Sequence, residues 1–188
     1  MATTKIAIAP MKGAQISRPG GASETVITAF ARLALGFSFL SAVADRFGLW
    51  GAYGAPHVAW GDFGRFIAYT AKLNWFVPQP IIPTMAWLAT CAEITLGAAL
   101  ILGIFTRIAA VLSGLLLLMF ALAMTAALGL KSPLDASVFS GSAAAFLLAI
   151  AERYPFSADS IVWRQRKVHR QEIHSQMGDV ATNRFADQ

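Results

Sequence analysis

Charge and cysteine are scarce in this chain of 188 residues: charged side chains make up 13% of it, and Cys91 is its one cysteine. A single cysteine excludes an intramolecular disulfide, a CxxC redox pair and a cysteine-based metal site, which removes membrane thiol oxidases from consideration. Of the three histidines, His57, His169 and His174, none falls in a long apolar run, which argues against a haem held by two histidines inside a bundle. The sequence offers no Ser-His-Asp set, no metal-ligand spacing and no phosphate-cradling loop. "GLWGAYGAP" is rich in glycine but follows an apolar helix rather than a β-strand, so it does not read as a nucleotide loop.

Hydrophobic residues, by contrast, make up 56% of the chain, and its mean hydropathy is +0.58. Residues 84–106 carry Cys91 and Glu93 as their only ionisable groups, and residues 108–130 carry no charge. At about 1.5 Å of rise per residue each run is long enough to cross a hydrocarbon core of roughly 30 Å. Residues 25–44, interrupted by Arg32, and residues 136–151, short and rich in small side chains, are two further candidates. The expected fold is all-α: an integral membrane four-helix bundle, residues 24–151, between a flexible leader, 1–23, and a basic tail, 152–188. No secretory signal is evident, because Pro10 interrupts the first apolar stretch and Lys12 and Arg18 follow it.

The excess of basic residues, with a net charge of +5, reads as topology rather than as nucleic-acid binding. With both termini in the cytoplasm, Lys5, Lys12, Arg18, Arg107, Arg153 and the tail residues Arg164, Arg166, Lys167, Arg170 and Arg184 lie inside. Arg46, Arg65, Lys72 and Lys131 lie outside, as the positive-inside rule requires. The lipid membrane is the first expected partner, and the tail "WRQRKVHRQEI" suits anionic lipid or plain solvent equally.

The link from 45 to 83 is long and crowded with rings, among them Trp50, Tyr53, Trp60, Phe63, Phe66, Tyr69, Trp75 and Phe76. Phe63, Phe66, Ile67 and Thr70 fall at helical spacing, and Pro78, Pro80 and Pro83 lead into the second span, so a short interfacial amphipathic helix is expected. The rings are either an interfacial belt or, through Trp50, Trp60 and Trp75, the wall of a pocket for a flat or apolar ligand. Ala34, Ser38 and Ala42 in the first span, and Ser137, Gly141 and Ala145 in the fourth, repeat every four residues, as closely packed membrane helices require.

Glu93 is the residue most in need of explanation, because a charge near mid-span costs on the order of 3 kcal/mol. Its helical face comprises Ala86, Ala89, Thr90, Gly97 and Leu100, which suits a bundle interior. Arg32, the only basic residue inside a span, is the expected partner. The two depths differ, roughly 11 Å against roughly 19 Å from the inner end, and a helical arginine points toward its own N-terminus, so a bridging group is needed. Three readings stay open: a clip between helices, a polar site that binds a head group or relays a proton, and a protonated, hydrogen-bonded carboxyl. Asp45 and Arg46 read as solvated anchors at the outer end of the first span, with Asp135 on the same side. Alternatively Asp45, Arg46 and Asp135 form a polar mouth above the Glu93 face, with His57 nearby as a possible proton exchanger.

From about Arg32 to Ala151 the chain resembles the DoxX/DoxD family of small four-helix membrane proteins. The likeness rests on "ARLALGFSFL", with Arg32 and Gly36, and on "EITLGAALILGIFTR", with Glu93, Gly97, Gly103 and Arg107. It implies a bacterial cytoplasmic (inner) membrane location, Arg32 and Glu93 as polar-site residues, and Arg107 as an inner-face anchor. It also implies a subunit of a quinone-linked oxidoreductase that offers a quinone site or a docking platform, with no covalent cofactor. A protein partner or a homo-oligomer is expected with it. The alternative is a structural or assembly protein that recruits a partner and has no ligand chemistry of its own.

Overall fold

The computed structural model describes residues 21–151 together with Tyr154 and Ser157. The leader up to residue 20 and most of the expected tail, with His169 and His174, lie outside the described residues. Six α-helices follow one another: α1 (Gly21–Arg46), α2 (Phe63–Leu73), α3 (Ile82–Leu102), α4 (Thr106–Leu128), α5 (Lys131–Asp135) and α6 (Val138–Ala149). No strand occurs among the described residues.

Three helices have the length and composition to cross a membrane: Ser23–Arg46, Gln79–Leu102 and Thr106–Leu128, with mean hydropathies of 1.8, 1.7 and 2.4. The fourth expected span is shorter than the sequence suggested. α6 has 12 residues, about 18 Å of helix, because Ser137 takes a left-handed conformation (φ 56°) and separates it from α5. Alone it falls short of the roughly 30 Å core.

Each terminus of α3 has a local cause. Pro83 occupies its first turn, where the missing N–H costs nothing, and a 3-10 turn at Gln79–Ile81 leads in. Gly103, at φ 69°, ends the helix in the left-handed conformation that a side chain disfavours. Phe105 (φ 47°) then starts α4 after only a few residues, so α3 and α4 run antiparallel.

The helices pack as two intimate pairs, α1 with α3 and α4 with α6. Where α1 crosses α3, Gly36 and Gly97 meet: a methyl group on Gly97 would stand 3.1 Å from the Gly36 carbonyl oxygen, and one on Gly36 would stand 2.9 Å from that of Gly97. Small side chains do let the helices approach, as expected, but at glycines. Ala34 and Ser38, assigned to packing by their spacing, are exposed instead. In the other pair the Ser142 hydroxyl donates to the Gly114 carbonyl at 2.8 Å, and Phe146 lies over Gly114. Leu35, Phe39, Leu100, Ala109, Ala110, Ala145 and Leu148 join the two pairs in one core.

The aromatic link folds into a cap over the end of α1. Its helix, α2, forms where the periodicity places one, with Asp62 as N-cap accepting from the Arg65 backbone N–H at 2.9 Å. It buries Phe66, Thr70 and Leu73 and leaves Arg65 and Lys72 exposed.

Candidate functional site

The polar centre of the fold lies where the cap, α1 and α3 meet. Arg46 is the last residue of α1, and its side chain turns back toward the N-terminus of that helix, as helical side chains do. That direction carries the guanidinium alongside α3. Nη2 reaches Glu93, 2.8 Å from Oε1 and 2.6 Å from Oε2, and Nη1 donates to the Thr90 hydroxyl at 2.9 Å. The Thr90 hydroxyl in turn donates to the Ala86 carbonyl, so the threonine is fixed as an acceptor. Arg46 and Glu93 are each 2% exposed.

The cap closes this pair from above. The Arg46 guanidinium carbon stands 3.7 Å from the Phe66 ring centroid and 5.4 Å from that of Trp60, and the two rings meet edge to face at 5.3 Å. Cation–π attraction is strongest in a desolvated setting such as this one. Tyr69 packs on Trp60 at 6.0 Å, and burial raises the pKa of its hydroxyl, which stays protonated. Asp45, one residue before Arg46, faces the loop: Oδ2 accepts from the backbone N–H groups of Ala59 and Trp60 at 2.9 and 3.1 Å. Asp45 thus ties down the segment that places Trp60 over Arg46.

Glu93 faces the bundle interior on the face the helical count gave, with Ala86, Thr90, Gly97 and Leu100 all buried, but its partner is Arg46, not Arg32. Arg32 sits toward the other end of α3, where its guanidinium donates to the carbonyls of Leu100 and Ile101 at 2.9 and 3.3 Å. Those are among the carbonyls that a helix C-terminus leaves without intrahelical partners. The same side-chain direction that carries Arg46 toward Glu93 carries Arg32 away from it. Asp45 and Arg46, expected as solvated anchors, are buried instead. They are 6% and 2% exposed, because the loop folds back over the end of α1.

The expected polar mouth comes together in part. Asp45 and Arg46 belong to the cap junction, and His57, exposed and in a left-handed conformation (φ 66°), shares with Asp45 an open groove along α1. Asp135 is elsewhere, exposed on α5 and paired with Lys131 four residues before it. Arg107 is exposed in the first turn of α4, at the α3–α4 link. The three tryptophans have separate neighbours: Trp60 covers Arg46, Trp50 bonds to the Ser41 carbonyl at 3.1 Å, and Trp75 is exposed against Phe76. Phe66 was read only as part of a periodic face. Its place with Thr70 on one side of the helical period was the available sign that it points inward.

Spanning helices, a dry ion pair and an aromatic cap define an integral membrane protein whose polar chemistry is enclosed. No curated protein and no solved structure matches the chain. The family model described as methylamine utilisation protein MauE matches residues 24–151, and the chain belongs to that family. This overturns the DoxX/DoxD resemblance, whose short motifs around Arg32, Gly36, Glu93 and Gly97 mark where glycines and charges fall in a membrane helix pair rather than one lineage.

Proposed function

We propose that this chain is a non-catalytic membrane accessory protein of methylamine utilisation, a rigid scaffold that presents its aromatic cap to a protein partner of that system on the outer face of a bacterial cytoplasmic membrane. One observation carries the reading. At 2% exposure for each member, with Thr90, Phe66 and Trp60 enclosing it, the Arg46–Glu93 pair is closed to ligands, and its role is to fix the cap on α1 and α3. The cap meanwhile exposes Trp50, Tyr53, Trp75 and Phe76, each more than half accessible, and aromatic side chains are the ones most enriched where partners bind. The family description supports the setting.

The outward orientation is supported by Arg107, which marks the α3–α4 link as the inner end of those helices. Photo-crosslinking tests the platform. A photoreactive residue at Trp75 is expected to give a defined protein adduct in cells growing on methylamine, and one at Leu115, exposed on α4, to give lipid adducts only. Lipid adducts alone at both positions would remove the platform. The competing reading, quinone beside the ion pair, is tested by mass spectrometry of the purified chain. The scaffold reading expects equal traces of quinone in the native protein and in Glu93→Gln. Near-stoichiometric quinone that is lost in a folded Glu93→Gln variant would replace it.

A further inference from the structure

α6 covers only part of the length of α4. The two run antiparallel: the Ser142 hydroxyl meets the Gly114 carbonyl, and Ala145, Leu148 and Ala149 join Ala109 and Ala110 in the core. Counted along the helices from that hydrogen bond, Gly114 is about 21 Å from the last residue of α4, and Ser137 is about 7 Å nearer to it. The break between α5 and α6 therefore stands roughly 14 Å inside the bundle, close to the middle of a hydrocarbon core of roughly 30 Å.

The break presents polar groups at that depth. Ser137 and Ser140 are exposed, and the Ser137 side chain does not cap α6. The backbone N–H groups of Val138, Phe139 and Ser140 find no acceptor among the described residues. Asp135, two residues before Ser137 and so at most about 7 Å from its level, is exposed as well and paired with exposed Lys131. Together these residues make a polar stripe from the end of α4 to mid-span. Lipid tails offer none of them a hydrogen bond, and irregular backbone inside a bilayer persists only where protein or water satisfies it. Lys131 and Asp135 neutralise each other, so the stripe calls for small donors and acceptors rather than for a partner's charge. Water supplies both.

We propose that water and lipid headgroups reach down this side of the protein as far as Ser137, so that the bilayer beside α5 and α6 is locally thinned. A short apolar stretch such as α6 draws the bilayer in the same direction. The inference needs only that α1, α3 and α4 span the membrane, and it is independent of what docks on the cap.

Cysteine labelling of the full chain in lipid nanodiscs, where both faces meet the reagent, tests it. In a Cys91→Ser background, Ser137, Ser140, Met119 and Leu130 are replaced singly by cysteine and treated with a charged maleimide. Met119 is exposed on α4 at the depth of Ser137, and Leu130 is exposed just past the end of α4. A thiol reacts as the thiolate, which apolar surroundings suppress, so labelling reports water. Ser137→Cys is expected to label within about tenfold of the rate of Leu130→Cys, and Met119→Cys about a hundredfold more slowly. Ser140→Cys, on the same stripe but within regular helix, should also label ahead of Met119→Cys. Adding Lys131→Leu and Asp135→Leu removes the charged part of the stripe and should slow Ser137→Cys several-fold. Labelling at Ser137 and Ser140 as slow as at Met119 would overturn the proposal, whether lipid or a second copy covers the stripe. So would fast labelling at Met119, or a rate at Ser137 that the two leucines leave unchanged.

Discussion

Arg46 and Glu93 face each other across the α1–α3 interface at 2.6–2.8 Å, and neither is more than 2% exposed. Removing one member of such a pair leaves the other buried and uncompensated, at a cost of about 3–5 kcal/mol. Arg46→Gln and Glu93→Gln should therefore each melt well below the native chain in the same detergent. In a double-mutant cycle the two changes together should cost less than their sum. Additive losses would show that the side chains are not coupled.

Phe66 contributes to the same junction through its ring face, 3.7 Å from the guanidinium carbon. Phe66→Leu keeps an apolar side chain and removes the quadrupole, with an expected loss of about 0.5–2 kcal/mol by cation–π attraction. In an Arg46→Met background the same change should cost measurably less. An equal cost in both backgrounds would assign the loss to packing alone.

Asp45 holds the loop rather than the helix pair. In Asp45→Ala the amides of Ala59 and Trp60 lose their acceptor, so hydrogen exchange at these two positions should accelerate while the α3 amides around Gly97 stay protected. Uniform acceleration across α1 and α3 would mean that the carboxylate supports the whole bundle.

The crossing of α1 and α3 depends on glycine. A methyl group at Gly36 would fall 2.6 Å from Ile101 and 2.9 Å from a backbone oxygen, whereas one at Gly141 on α6 would meet Leu117 at an ordinary 3.4 Å. Gly36→Ala should lower the melting temperature, and Gly141→Ala should leave it close to native. The reverse order would contradict the packing described.

The three long helices were legible because lipid imposes a length and a composition that run on for some twenty residues. α2 was legible from its period, and the buried face of α3 from counting along the helix. The partner of Glu93 was not. The only arginine inside a span drew the pairing to Arg32, while the residue that reaches Glu93 sits at a helix end, where a charge ordinarily signals solvent. Its burial depends on the loop folding back through Asp45, Trp60 and Phe66, contacts between residues that no local pattern joins. The shortness of α6 depends in the same way on one backbone conformation at Ser137.

On the scaffold reading, the buried pair holds the cap and performs no chemistry. The most direct measurement is growth on methylamine of cells that depend on this chain, carrying the double substitution Arg46→Met and Glu93→Leu and checked for folding by its melting curve. Apolar side chains of similar volume replace buried pairs without loss in other folds, and Met retains contact with the Phe66 ring. A folded variant that sustains growth is the expected result. A folded variant that does not would show that the charges themselves serve the function.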